Sequence, residues 1–190
     1  MSFTINSFRQ GIQSVGGVAR PNLFEVVISD APDNFPTTGF PFQCKIATIP
    51  PSTMGVIEVP YFGRMIKIPG NRTFDNLSVT ILNDENYTIR NGVEKWMQRM
   101  NDHKTNTSRA TMESIQAQIT ISHYKVNGQS TGQGWKFVDA FPVALSEIAL
   151  DWGSNDTAEE FTIDFAYDYW TSTATKGSGG PGGAGRGRGN

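Results

Sequence analysis

Period-two alternation of apolar and polar residues dominates the chain. Ile115, Ala117, Ile119 and Ile121 point one way and Gln116, Gln118, Thr120 and Ser122 the other, the pattern of a strand with one wet and one buried side. Phe161, Ile163, Phe165, Tyr167 and Tyr169 likewise alternate with Thr162, Asp164, Ala166 and Asp168. Preceded by Ala144 to Trp152 and a turn of Gly153, Ser154, Asn155 and Asp156, that segment reads as the second arm of a half-buried hairpin. Further strands are expected from Leu23 to Ile28 after Pro21, from Phe42 to Ile49 before Pro50-Pro51, from Thr73 to Leu82 and from Trp135 to Phe141. Asp30 to Pro41 and Asn101 to Thr111 read as loops.

One segment follows the helical period instead. After a cap at Asn83-Asp84 with Glu85 in the first turn, Ile89, Val93, Trp96, Met97 and Met100 recur at spacings that place them on one helix face. Gly92 inside it costs about 1 kcal/mol against alanine. A Trp and Met stripe of this kind is core that covers an open end or face of a sheet. Roughly eight or nine strands with one flanking helix predict a mainly β fold, an antiparallel sandwich or barrel.

The segment from Met54 to Ile68 is harder to satisfy. Val56, Phe62, Ile66 and Ile68 fall on one parity and Ile57, Val59, Tyr61 and Met65 on the other, so both faces of this hairpin are expected to be largely apolar. A lone domain buries only one face of such a hairpin. Either the pair is central and sandwiched within the domain, or it projects and finds its second cover on a neighbouring subunit.

Domain organisation follows from composition. Residues 1–18 are polar and glycine-containing with scattered Phe3, Ile5, Phe8 and Ile12, which reads as an arm that orders only against something else. Residues 19–172 form the β domain. Residues 173–190 are dominated by glycine and are expected to be disordered. The net charge is −2, but Lys176, Arg186 and Arg188 lie in that last segment, and without these three the body stands at −5. An acidic body argues against a surface that grips phosphates. It is compatible with letting DNA pass, since like charges repel. Cys44 is the sole cysteine, which excludes an internal disulfide and a cysteine-based zinc site and suits a reducing cytoplasm. Met1 to Gly17 has neither the basic nor the apolar region of a secretory signal, so a soluble protein is expected.

Chemistry-bearing motifs are weak. Gly177-Ser178-Gly179-Gly180-Pro181-Gly182 matches GxGxxG but has no strand before it and no helix after it. His103 and His123 show no metal-ligand spacing, and Cys44 in an apolar strand reads as a small buried hydrophobe. Asp164 and Asp168 share the polar parity of one strand, with Glu159 and Glu160 just before it, the ordinary look of a solvated acidic face. No catalytic, metal or cofactor residues are assigned, and no enzyme activity is expected.

Several segments, taken in order, resemble the tail-tube proteins of T-even-type contractile-tailed bacteriophages. They are Ala19-Arg20-Pro21-Asn22-Leu23-Phe24-Glu25-Val26, Phe42-Gln43-Cys44-Lys45, Gly70-Asn71-Arg72-Thr73-Phe74-Asp75, Asn83-Asp84-Glu85, Leu150-Asp151-Trp152 with Ser154-Asn155, and Asp168-Tyr169-Trp170. The resemblance implies a structural virion protein, a β-sandwich assembled as hexameric rings that stack into the tube of a contractile tail. Such a tube acts as piston and as conduit for double-stranded DNA, without sequence-specific binding or a small-molecule substrate, and meets the host membrane only during ejection. Implied partners are further copies of the chain, the tail sheath, and baseplate, tape-measure and terminator proteins. Candidate contacts between subunits and rings are Phe3, Ile5 and Phe8 of the arm and Met54, Val56, Ile57, Val59, Tyr61, Phe62, Arg64 and Met65 of the hairpin. Asp164 and Asp168 are candidates for an acidic bore. The tube of a tailocin or type VI secretion system, and a β-sandwich binding module, are the alternatives.

Overall fold

A computed structural model describes residues 4–32, 35–108 and 111–173. In chain order the elements are α1 (Ile5–Ser14), β1 (Phe24–Ser29), α2 (Phe40–Gln43), β2 (Cys44–Thr48), β3 (Ser52–Tyr61), β4 (Arg64–Phe74), β5 (Leu77–Leu82), α3 (Thr88–Met100), a 3₁₀ turn (Met112–Ser114), β6 (Ala117–Tyr124), β7 (Ser130–Leu145), β8 (Glu160–Ala166) and β9 (Tyr169–Ser172). All strand pairs are antiparallel. The expected mainly β fold is present, with two helices beyond the one foreseen. The glycine-rich segment from Gly177 to Asn190 and Phe3 lie outside the described residues.

Strand β7 organises the fold. Its first part pairs β6 and β9, and its last part pairs β8. Between them the register slips as Ile119 pairs Phe137 while Ala117 pairs Ala140, and Asp139 takes a positive φ of 58°. An extra residue in one strand bends it and raises its twist, so β7 turns a corner and serves two sheets. The order β1-β6-β7-β8-β5-β2 runs round this corner until β1 and β2 meet again, bridged by α2. Trp135 to Phe141 and Ala144 onward are therefore one strand, not two.

A single apolar core fills the interior. The inward positions Val26 and Ile28, Leu77, Val79 and Ile81, Ile119 and Ile121, and Phe161, Ile163 and Phe165 are all buried, as period-two alternation requires. Phe35 and Phe40, from the segment read as a plain loop, add two rings to it. Helix α3 closes one side with Ile89, Val93 and Trp96 buried and Met97 and Met100 packed against the cluster. It starts at Thr88, later than the sequence suggests. Asp84 still caps it from outside, accepting from the Thr88 N–H at 2.9 Å and from its hydroxyl, which holds the Asp84 carboxyl below its usual range.

Gly92 has a packing reason. A Cβ there would lie 2.9 Å from Cδ of Pro36 and 3.3 Å from Cδ2 of Phe35, so α3 approaches this segment more closely than any side chain permits. Gly92→Ala is expected to destabilise by about 1–3 kcal/mol through overpacking, against its gain in helix propensity. A urea midpoint equal to or above that of the native chain would refute this.

Candidate assembly surface

The β3–β4 hairpin is a separate two-stranded sheet, and every residue of β3 is exposed. The hairpin thus projects from the subunit, and the sandwiched alternative is excluded. Its reversal is a two-residue turn, Phe62-Gly63, with φ of 41° and 83°. Both central residues of a tight hairpin turn of this hand need positive φ, normally supplied by Asn, Asp or Gly. Phe62 takes that conformation with its ring 92 % exposed and edge-on to Tyr61 at 4.6 Å. A large apolar side chain is held in solvent at a backbone cost of order 1 kcal/mol.

Register redistributes the apolar residues. Ile57 pairs Ile68, Val59 pairs Ile66 and Tyr61 pairs Arg64, which places these side chains on one face. The opposite face carries Val56 with Pro69, Pro60 with Met65, and between them Glu58 with Lys67, an ion pair at 3.7 Å. The expectation of two largely apolar faces is corrected: one face is aliphatic, the other mixed. The parities cross over because the turn joins odd positions of β3 to even positions of β4. Nearer the root, the register shifts between Met54 and Val56. There a Cβ on Gly55 would meet the Asn71 carbonyl oxygen at 3.2 Å, and one on Gly70 the Gly55 carbonyl oxygen at 3.1 Å. Bare glycines allow this close crossing of backbones.

The root is anchored to the sandwich. Phe74 meets the rings of Tyr167 and Trp170, and the Tyr167 hydroxyl donates to the Asp75 carbonyl at 2.5 Å. Burial and, less, the Asp75 charge push the Tyr167 phenol up to about 12, so it stays a donor at neutral pH. Arm residues 5–14 form α1, a helix without a buried residue. Thr4 and Ser7 make a capping box, and Gly16 and Gly17, both at positive φ, end it as their N–H groups donate to Gln13 and Ile12. The arm is therefore helical within the subunit, presenting Ile5 and Phe8 outward. The signal was present in the sequence, Ile5, Phe8 and Ile12 at spacings of three and four after the cap residue Thr4, and was passed over because the segment is otherwise polar and glycine-containing.

The two acidic candidates separate. Asp164 lies in β8, half-buried, accepting from the Ser78 hydroxyl at 2.5 Å, beside Thr80 and Thr162. β8 ends at Ala166, and Asp168 sits in the bend before β9, where its N–H donates to the Val138 carbonyl at 3.1 Å. They do not share one strand face as expected, because β9 leaves β8 to pair with β7. The preceding strand also differs: β7 stops at Leu145 and a connection of coil and turns, residues 146–159, carries fully exposed Trp152. Cys44 is half-buried, and burial pushes its thiol up to about 12, the state of a packing residue and not of a nucleophile. Among the described residues no acidic, His and Cys side chains cluster as a metal site would require.

The fold is thus an antiparallel β-sandwich sharing one corner strand, with a separate, exposed β-hairpin that carries uncovered apolar side chains. Residues 17–173 match the family described as phage tail tube protein, and the chain belongs to that family. The tail tube protein gp19 of Enterobacteria phage T4 is 30 % identical over 155 residues, covering 82 % of this chain and 92 % of the relative. The tail tube protein of Serratia phage KSP90 is 29 % identical over 172 residues, 86 % and 94 % of the two chains. Among solved structures, a chain of the sheath–tube complex of the PVC extracellular contractile injection system superposes with a TM-score of 0.62 at 18 % identity, over 90 % of this chain and 98 % of that one. A chain of the anti-feeding prophage tube-terminating cap gives 0.61 at 19 %, over 82 % and 90 %. The family is one of phage tail tube proteins.

Proposed function

We propose that this chain assembles as hexameric rings stacked into the inner tube of a contractile phage tail, within the virion, where the tube serves as piston and conduit for double-stranded DNA. The observation that carries the reading is the β3–β4 hairpin, whose aliphatic pairs stand uncovered in the subunit. Exposed apolar surface of this kind marks a contact awaiting a partner. Family membership makes further copies the first partner, and the exposed helix α1 a second element of contact. Sheath, baseplate, tape-measure and terminator proteins are the other partners of this reading. Chains of similar fold in a sheath–tube complex and in a tube-terminating cap support the first and last of them.

For the bore, the hydroxyl-bearing face of β5 and β8 is the favoured wall. Ser78, Thr80 and Thr162 surround Asp164 there, and rotation about the tube axis turns one carboxylate into a ring that repels phosphates. Purified protein concentrated and viewed by negative-stain electron microscopy is expected to show rings and hollow rods. A strictly monomeric species at high concentration in the ultracentrifuge would overturn the reading. The tube of a particle without a DNA-filled head is the alternative, distinguished by the absence of capsid and terminase genes beside this one.

A further inference from the structure

Two exposed apolar surfaces, the hairpin and the Leu150–Trp152 turn, lie at opposite ends of the same strands. β5 begins at Leu77 facing Phe165 of β8, and ends at Leu82 facing Glu160. The hairpin is rooted at the first end, through Phe74, Asp75 and Tyr167. The connection from β7 enters β8 at the second, about 20 Å away at the usual rise per strand residue.

That connection is built, not slack. The Asp151 carboxylate accepts from the Gly153 N–H at 2.9 Å, and the Ser154 N–H donates to the Asp151 carbonyl at 3.2 Å. At its far end Glu159 accepts from the Asn83 amide at 2.5 Å and the Tyr87 hydroxyl at 3.3 Å. The turn displays Leu150 and Trp152, the indole wholly in solvent. Its charged residues are Glu147, Asp151, Asp156 and Glu159, without a Lys or Arg. Two cations near this end are engaged locally, Lys45 by Glu160, and Arg90 by Glu94 and the Ser146 carbonyl. The hairpin strands carry Arg64, Lys67 and Arg72 against Glu58 alone. In the subunit both surfaces stay exposed, so the hairpin does not cover its own turn.

Resting on the tube reading, we propose that the Leu150–Trp152 turn receives the β3–β4 hairpin of a second copy of this chain, apolar against apolar and acid against base. Each subunit donates at one end of the β5–β8 pair and accepts at the other. Such a contact is heterologous, leaves an unused half at each end, and grows a column of one polarity. Trp152 is its anchor, as buried indoles commonly are in interfaces.

The test compares four full-length chains by sedimentation and negative stain: native, Glu147→Lys with Asp156→Lys, Arg64→Glu with Arg72→Glu, and all four changes together. Asp151 is left alone because it shapes the turn. Either pair is expected to raise the concentration needed for rod growth about tenfold, as lost charge complementarity at an interface does, and the combined chain to regain most of it. Far-UV circular dichroism establishes that each chain is folded. Native rods with unaltered growth of the Glu147, Asp156 pair, or a combined chain worse than either pair, would overturn this contact and leave the tube reading standing. Failure of the native chain to form rods would overturn both. Independently, native emission is expected to shift to the blue on assembly and Trp152→Phe to abolish that shift; a shift that persists in the variant would count against the anchor.

Discussion

Replacing Ile57 and Val59 together by Asp is expected to abolish tubes while leaving the subunit folded. Both side chains stand on the aliphatic face of the hairpin, 55 % and 40 % exposed, and belong to no part of the sandwich core. Their loss within the subunit removes only the pairs with Ile68 and Ile66. In an assembled column the situation reverses. Covering an aliphatic side chain contributes about 1.5–3 kcal/mol, whereas burying an unpaired carboxylate costs more than that gain. Two such changes recur at every subunit of every ring, so the penalty multiplies along the tube. The measurement is negative-stain microscopy beside thermal unfolding: rods disappear and the unfolding midpoint moves by a few degrees at most. Tubes of normal length from this variant would show that the hairpin is not an assembly contact.

Strands with one wet face were legible because burial imposes a period of two. Ile119 and Ile121 of β6 and Phe161, Ile163 and Phe165 of β8 all point where alternation puts them. Helix α3 was legible for the same reason at a period of 3.6, even though Tyr87, with a φ of 53°, displaces its start. What alternation cannot show is where a strand loses its partner. Tyr167 and Tyr169 continue the apolar parity of β8, yet the chain bends at Asp168 and β9 joins β7. Ala144 to Trp152 looks like a strand, but its pairing with β8 ends at Leu145 opposite Ile163, and Leu150 and Trp152 go to solvent. Pro142 lies at a register shift within β7, where a missing N–H is tolerated. The hairpin announced itself by too many apolar residues. Its faces became definite only through the Phe62-Gly63 turn, which decides which parity of β3 meets which of β4.

Trp96→Ala is expected to produce the largest loss of subunit stability among single changes in α3. The side chain is 2 % exposed and stands where three parts of the chain converge. Its ring lies edge-on to Phe35 at 5.5 Å and tilted against Phe165 at 6.2 Å, and its Nε1–H donates to the Ile115 carbonyl at 2.7 Å. Truncation removes a large apolar volume, leaves a cavity between helix and sheet and orphans a carbonyl, together about 3–5 kcal/mol. Against a typical domain stability of about 5–15 kcal/mol that is a large share. Trp96→Phe narrows the loss, since it keeps an aromatic ring against Phe35 and Phe165 and gives up the donor with a smaller part of the volume, at about 1–3 kcal/mol. Urea unfolding therefore ranks the chains native, Phe, Ala from highest midpoint to lowest. Equal midpoints for native and Ala would mean that α3 is an ornament on the sandwich and not its lid. Because the strands of the hairpin form a separate sheet and belong to no part of this core, the Phe variant should still build rods below its unfolding temperature, which separates stability of the subunit from competence to assemble.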